Sequence, residues 1–428
     1  MIHLNFKKLF LLIAGVGLSQ AVIIFFTRYY IYLHISAIAG LTVRHIIMEP
    51  VVLIVSLILF VSYAVLIIYY RQSWLSIPNF KCAGTQGLKT KISIIIPARN
   101  EEQNIAACIH SIVHQTYPRH LFEILVIDDH STDNTAGIIL SYRQQNVQLI
   151  SLKDFADAKE INSYKKKAIE IAILQSTGEL IVTTDADCIV QPGWLQTIAA
   201  YYEKNDAAFI AMPVSYDCKN NFLEIFQALD FMTLQGITGA SAHKKIHSMC
   251  NGANLAYQKK AFIEAGGFKG IDNIASGDDM LLMHKIFKLF PARVFFLKSS
   301  GVIVNTGPMS TLKDFFNQRI RWASKADKYD DKRIFAVLLL VYFFNVWIVL
   351  QGILTVFLTF AFVYYFIALL VAKTILELYF LYPVARFFNK TKLLWWFPVA
   401  QPFHIVYTVI AGWLGKFGKY TWKERTVK

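Results

Sequence analysis

Acidic residues are scarce in this 428-residue chain: 29 Asp and Glu stand against 43 Lys and Arg, for a formal net charge of +14. Much of the basic excess sits beside apolar runs, at Lys7-Lys8, Arg71, Lys325 to Arg333 and Lys416 to Lys428. Such flanks mark cytoplasmic loops and anionic lipid surfaces better than nucleic acid. Cysteine is also sparse. Cys82, Cys108, Cys188, Cys218 and Cys250 form no C-x-x-C pair, which argues against a zinc site and a disulfide framework and suits a reduced cytoplasmic compartment. No segment repeats at a fixed period or is of low complexity, so solenoids and tethered disordered arms are excluded. Ionisable residues are missing altogether from Val51 to Tyr70 and from Ile334 to Ala372. Transport driven by ions usually needs them inside the spans, so these runs read as anchor or conduit.

What is abundant is apolar. Hydrophobic residues make up 55% of the chain, above the ~45–50% usual in soluble domains. Residues 9–27 form an uncharged run near the ~20 residues that cross a bilayer. No small-residue cleavage site follows, and Arg28-Tyr29-Tyr30 suits an interfacial belt, so a retained span is expected. A polar link with Arg44 and His45 leads to Val51–Tyr70, a second span. Residues 1–72 are thus expected to hold two spans, 73–330 a globular domain, 331–415 two to four further spans or interfacial segments, and 416–428 a basic cytoplasmic tail. Ile334 to Ala372 suits two spans with a turn near Gln351-Gly352. Thr374 to Asn389 and Leu393 to Gly415 carry charge or proline and suit either spans or interfacial helices. A cytoplasmic tail requires an even number of C-terminal crossings, and four is the expectation.

Within 73–330, strand-length apolar runs at Ile92–Ile96, Leu121–Ile127, Val147–Ile150, Leu180–Thr184 and Ala208–Met212 alternate with helical patterns at Glu102–His114, Asp133–Tyr142 and Lys166–Gln175. The alternation implies βαβ units and a mostly parallel, Rossmann-like α/β sheet. Three strands end in acid groups. The first runs into Pro97-Ala98-Arg99-Asn100-Glu101, the second into Asp128-Asp129-His130-Ser131-Thr132-Asp133, and the fourth into Asp185-Ala186-Asp187. A parallel sheet sets these ends side by side on its carboxyl edge, where ligands bind. Two adjacent carboxylates suit Mg²⁺ or Mn²⁺ shared with a substrate diphosphate, and carboxylates at the other two ends suit base N–H and ribose hydroxyls. Ser131 to Asp133 suits turn and capping chemistry better than ligand contact.

These blocks, with Lys165 to Ala168 between them, resemble the GT-A catalytic domain of glycosyltransferase family 2 over Lys91 to about Lys325. The flanking spans resemble its membrane-embedded members. The resemblance implies a nucleotide site of Pro97, Arg99, Glu101, Asp128, Asp129, Asp185 and either Lys165 or Lys166, with the metal on Asp185 and Asp187. Asp278-Asp279 stands where the family usually has Glu-Asp, implying Asp279 as general base with Asp278 beside it. Gln318-Arg319-Ile320-Arg321-Trp322 fits the Q-x-x-R-W signature of cellulose, chitin and hyaluronan synthases and of ceramide glucosyltransferases. With Asn251 and Gly252 it implies contacts to acceptor and diphosphate through Gln318, Arg319, Arg321 and Trp322.

The function so implied is inverting transfer of a sugar from a nucleotide diphosphate, a UDP-sugar by resemblance, to a growing polysaccharide at the cytoplasmic face of a bacterial inner membrane. Membrane lipids and accessory export subunits are the expected partners, and nucleic acid is not. The alternative is a single transfer to a ceramide-like or polyprenyl lipid. Tyr342, Asn345, Trp347, Gln351, Tyr364 and Tyr365 would line a polymer channel in the first case and serve as helix contacts or anchors in the second.

Overall fold

The computed structural model describes residues 42–427 apart from 83, 85–86, 156–162, 220, 247–248, 273, 275–276, 325–330, 358–359, 418–419 and 423–424. The expected span at 9–27, Lys7-Lys8 and most of the basic link before Lys332 lie outside the described residues. Helix α1 (Thr42–Ser76) leads into the α/β domain, and Arg44 and His45 belong to its first turns rather than to a link.

Seven strands form a mixed sheet in the order β3-β2-β1-β4-β7-β5-β8. They are β1 (Ile92–Ala98), β2 (Phe122–Asp128), β3 (Val147–Ser151), β4 (Leu180–Thr183), β5 (Phe209–Ala211), β7 (Leu255–Gln258) and β8 (Val294–Phe296). All neighbours run parallel except β7, which is antiparallel to β4 and β5. The central strands are mostly apolar because both faces are covered. Ile92, Ile94 and Ile96 of β1 join one core and Ile95 joins the other, as the two-residue alternation of a strand requires. β6 (Val214–Tyr216) and β9 (Val304–Thr306) form a separate parallel pair. Helices α2 (Ile105–Val113), α3 (Thr135–Ser141), α4 (Tyr164–Gln175) and α5 (Trp194–Asn205) make the crossovers.

The long helix α6 (Phe222–His243) joins the α/β domain to the long apolar helices. At its far end Ser73 Oγ donates to Ala240 O at 2.5 Å, and Lys298 Nζ donates to Trp74 O at 2.8 Å. A Cβ on Gly239 would stand 2.8 Å from the Trp74 ring, so glycine is what lets α1 approach this closely. The domain is therefore packed onto α1, with Trp74 fully buried in the joint.

After α7 (Lys259–Glu264), α8 (Met280–Leu289) and α9 (Leu312–Ala323) come α10 (Lys332–Phe357), α11 (Phe360–Phe387) and α12 (Phe397–Phe417). Four described helices are long and apolar enough to cross a membrane, α1 and these three. The C-terminal part is thus three spanning-length helices where four were expected. Helix α10 runs straight through Gln351-Gly352, because Gln351 donates to Ser56 Oγ at 2.5 Å inside the bundle and needs no turn. Helix α11 passes through Glu377 because Lys373 lies 2.5 Å away, one turn back, and neutralises it. A short strand pair, β10 (Tyr420–Trp422) with β11 (Arg425–Val427), follows in the basic tail.

Candidate active site

The loops after β1 and β2 are zipped together. Asp129 N donates to Ala98 O at 2.8 Å, and Arg99 Nη1 donates to Asp129 O at 2.9 Å. Asn100, at φ 51°, receives Thr132 N on its side chain and gives its own N–H to Ser131 Oγ. Asp133 accepts from Thr135 N, Thr135 Oγ1 and Glu102 N, so Ser131 to Asp133 serve the turn, as expected. Pro97 ends β1 beyond the residues that pair with β4, where its missing N–H costs that ladder nothing. Asp128 and Asp129 are buried at the head of this clamp; Asp128 Oδ1 accepts from Ser131 N at 3.2 Å and Asp129 Oδ1 faces His130 Nδ1 at the same distance.

Strand β4 delivers Asp185 and Asp187 next to this clamp. An antiparallel bridge between Ile189 and Asn305 ties their turn to β9, which lets Thr306 Oγ1 donate to Asp187 Oδ2 at 3.0 Å. Burial, with Asp185 and Glu101 nearby, pushes the Asp187 carboxyl above the usual carboxylate range. Three acids from two loops, Glu101 after β1 with Asp185 and Asp187 after β4, thus share one field.

Two successive lysines part company on α4. Lys165 Nζ lies 2.6 Å from Asp185 Oδ1 and 3.3 Å from Asp278 Oδ2. Burial works against its charge, but Asp185, Asp278 and Asp279 outweigh it and hold its pKa well above the ordinary lysine value. Lys166 is turned away, 1% exposed, and donates to the carbonyls of Ile271 and Ile274 at 2.6 and 2.5 Å. The expectation that either lysine serves the nucleotide is corrected for Lys166: it braces the segment that leads to Asp278.

Asp279 is the N-cap of α8, with Oδ1 accepting from Met280 N at 2.7 Å and Oδ2 from Gly252 N at 3.3 Å. A Cβ on Gly252 would fall 3.1 Å from Asp278 Oδ2 and 3.3 Å from Lys165 Nζ, so the acid pair and the lysine close over bare backbone. Thr183 Oγ1 pins Gly252 O at 3.2 Å. The Asn251 side chain is spent on its own turn, accepting from Ala253 N.

The Gln-Arg-Ile-Arg-Trp segment lies on α9. Gln318 Oε1 accepts from Arg319 Nη1 at 2.8 Å and from Tyr216 OH at 3.5 Å. Through Tyr216 on β6, which pairs with β9, the segment is linked to the strand that holds Asp187. Arg319 departs from its expected role. It is 4% exposed, paired with Asp230 of α6 at 2.6 Å and covered by the rings of Phe315 and Trp322, so it packs rather than contacts a ligand. Arg321 and Trp322 are half-buried, and Trp322 packs near Phe231 with ring centroids 6.1 Å apart. Thr306, Thr183 and Asp230 went unforeseen, since no motif marks them and each lies far in sequence from its partner.

Among the described residues no group of three His, Cys, Asp or Glu would hold a metal by itself. Asp185 and Asp187 with the crowded field of Glu101 do fit a divalent cation whose shell a diphosphate completes, the arrangement usual for Mg²⁺.

Known proteins agree with this fold and these blocks. The Glycosyl transferase family 2 model matches residues 93–266, and the Glycosyl transferase family group 2 model matches residues 180–414, more than half of the chain. "Glycosyltransferase AglE" of Haloferax volcanii is 33% identical over 105 residues, 24% of this chain and 33% of that protein. "Probable glycosyltransferase YdaM" of Bacillus subtilis is 24% identical over 250 residues, 54% of each. The chain therefore spans a third to about half of the length of these relatives. A solved mannosyltransferase, PcManGT from Pyrobaculum calidifontis in complex with GDP-Man and Mn²⁺, superposes with a TM-score of 0.53 at 17% identity, over 83% of this chain and 98% of that one. That likeness supports the GT-A fold. Matched by the group model over more than half its length, the chain belongs to the family 2 glycosyltransferases.

Proposed function

We propose that the chain is a membrane-bound inverting glycosyltransferase taking sugar from a nucleotide diphosphate at the cytoplasmic face of a bacterial inner membrane. The observation that carries this is the convergence of Lys165, Asp185, Asp278 and Asp279 around Gly252. In the transfer, an acceptor O–H forms the new bond to the anomeric carbon while the bond from that carbon to the diphosphate oxygen breaks. The nucleoside diphosphate leaves with the electron pair, and the proton passes to Asp279. Its carboxylate caps α8 and reaches Gly252 N, which sets a base beside Asp278 and Lys165. Asp278 is engaged by Lys165 and is the poorer base. Bound to Asp185 and Asp187, Mg²⁺ or Mn²⁺ would neutralise charge growing on the leaving diphosphate. Lys165 adds a fixed positive charge there and holds Asp185 and Asp278 in register. Asp128, Asp129 and Glu101 suit the nucleoside, and a uridine base is favoured by the family pattern.

A polysaccharide and a lipid acceptor both suit these groups, and the helix packing favours the lipid. Of the residues suited to a polymer channel, Trp347 and Gln351 both donate to Ser56 Oγ, Asn345 donates to Val341 O in its own helix, and Tyr364 is 70% exposed on the bundle's outer face. These are helix contacts and an outward ring. The cytoplasmic side is read from the basic flank at Lys332-Arg333, where α10 leaves the domain. Incubating the purified chain in nanodiscs with Mn²⁺ and a panel of UDP- and GDP-sugars tests this. One organic-soluble glycolipid from one donor is expected; failure to move sugar from any donor to any acceptor would refute it.

A further inference from the structure

Helix α12 is long and apolar enough to cross a bilayer, but its contacts follow the α/β domain from end to end. Trp396, just before it, and Phe403 both pack on Phe222, with ring centroids 6.3 and 5.2 Å apart. The Tyr407 ring meets Phe226 and Phe315 at 5.7 and 5.3 Å, and its hydroxyl donates to Asp230 Oδ1. His404 Nε2 lies 3.5 Å from the same oxygen. Ala411 packs with Ile320, and a Cβ on Gly415 would fall 2.6 Å from Ala323 Cβ. All of these partners lie on α6 or α9. From Trp396 to Gly415 that is about 28 Å of helix at 1.5 Å per residue, nearly the ~30 Å thickness of a hydrocarbon core. Were α12 to cross, α9, which lies along its second half, would be carried into hydrocarbon with Lys313 and Asp314 exposed, and charge there is costly.

Contacts with the other long helices agree. Gln401 donates to Glu377 at 2.6 Å, ten residues before α11 ends at Phe387. A Cβ on Gly412 would fall 2.7 Å from the Tyr342 ring, ten residues after α10 starts at Lys332. Both of those helix ends lie toward the domain, since Phe387 packs on Trp74 and Lys332 follows α9. Eleven residues further along, α12 has therefore gone no deeper, whereas a crossing helix would have moved by about 16 Å.

The face that α12 leaves uncovered is apolar. Val399, Phe403, Val406, Ile410 and Trp413 are 40–61% exposed and recur every three or four residues, as one stripe of a helix does. Where Gly412 touches Tyr342, the next residues, Trp413 and Phe343, are both exposed, so the stripe adjoins the outward face of α10, a helix of spanning length. Trp395, 87% exposed, stands before the stripe, and exposed Lys392 and Lys416 flank it. Tryptophan and lysine at the ends suit the headgroup level.

We infer that α12 lies in the membrane surface rather than across it, and that its partner is the lipid bilayer itself. The stripe sits at the boundary between headgroups and acyl chains, while the opposite side fastens α9, and with it the Gln-Arg-Ile-Arg-Trp segment, to the membrane face of the domain. The residues after α12 then stay on the side of Lys332. None of this depends on the transfer reading.

The test uses the full wild-type chain in nanodiscs of phosphatidylcholine carrying a diazirine either near the ester end of one acyl chain or at its last carbon, with labelled residues mapped by mass spectrometry after photolysis. Val399, Val406 and Trp413 are expected to take the shallow label alike, several-fold over the deep one, as for a helix buried ~5–10 Å into the boundary. Leu350 and Val371, past the middle of α10 and α11 counted from the domain, should take the deep label. A crossing helix would change depth by about 21 Å between Val399 and Trp413, so a switch from shallow to deep label between them would overturn the inference. An α12 stripe that neither lipid labels, beside labelled Leu350 and Val371, would overturn it too, by giving the stripe to a soluble partner. No sugar donor is present, so the outcome stands apart from the transfer reading, which release of nucleotide with donor and Mn²⁺ tests separately.

Discussion

The Lys165 ammonium sits 2.6 Å from the Asp185 carboxylate, joining the start of α4 to the turn after β4, while Lys166, the next residue, faces the opposite way. The two substitutions should therefore separate cleanly. Lys165→Met is expected to lower kcat/KM by on the order of 10²–10³-fold, as for loss of one aimed charge-stabilising donor, with little change in thermal stability. Lys166→Met should instead cost about 1–3 kcal/mol of stability by stranding two buried carbonyls. Steady-state kinetics and thermal unfolding of both variants check this; equal kinetic losses at unchanged stability would contradict it.

Gly252→Ala places a methyl 3.1 Å from Asp278 Oδ2 and 3.3 Å from Lys165 Nζ. Both neighbours are side-chain ends and can give way, so the fold is expected to survive. Displacing catalytic groups by less than an ångström commonly costs up to ~10²-fold in rate. Comparing kcat/KM with the unfolding midpoint checks it, and a fully active variant would remove the close approach from the account.

How much of this was legible in the sequence follows from which contacts are local. Strands β1 to β4 were readable because each is a short, mostly apolar, β-branched run, broken only by Ser93, Glu123 and Gln148 in the first three, and Asp185 and Asp187 because their strand leads straight into them. Strands β8 and β9, three residues each, carry no such signal and exist through pairing with distant segments. Which of Lys165 and Lys166 faces the acids is set by the rotation of α4 against its neighbours, and three lysines in a row do not encode it. The cut at Gln351-Gly352 failed because a buried partner, Ser56, lies 295 residues away.

Arg319 tests the distinction between packing and ligand contact. Arg319→Met leaves Asp230 buried without its cation, and such losses run to roughly 3–5 kcal/mol. Adding Asp230→Leu should recover part of it. Thermal unfolding of the single and double variants checks this. A single variant with normal stability and a raised KM for the donor would return Arg319 to the diphosphate.

The clamp between the loops after β1 and β2 should loosen in acid. Burial raises the Asp133 pKa, but the hydrogen bonds from Thr135 and Glu102 together outweigh it and hold it below the usual value. A depressed folded pKa gives stability that is present above the unfolded value, near pH ~4, and lost as pH falls through the folded one. The advantage of wild type over Asp133→Asn should thus be full at pH 7 and shrink below about pH 4. Unfolding midpoints across that range check the sign.

The most direct test of the carboxylate cluster compares Asp187→Asn and Asp279→Asn for Mn²⁺-dependent donor binding and for sugar transfer, side by side. Asp187→Asn should lose both, and Asp279→Asn should bind donor as wild type does while transfer falls by at least ~10²-fold, the share of a general base. Transfer at the wild-type rate in Asp279→Asn would contradict the assignment of the base, and unchanged Mn²⁺-dependent binding in Asp187→Asn would contradict the metal site.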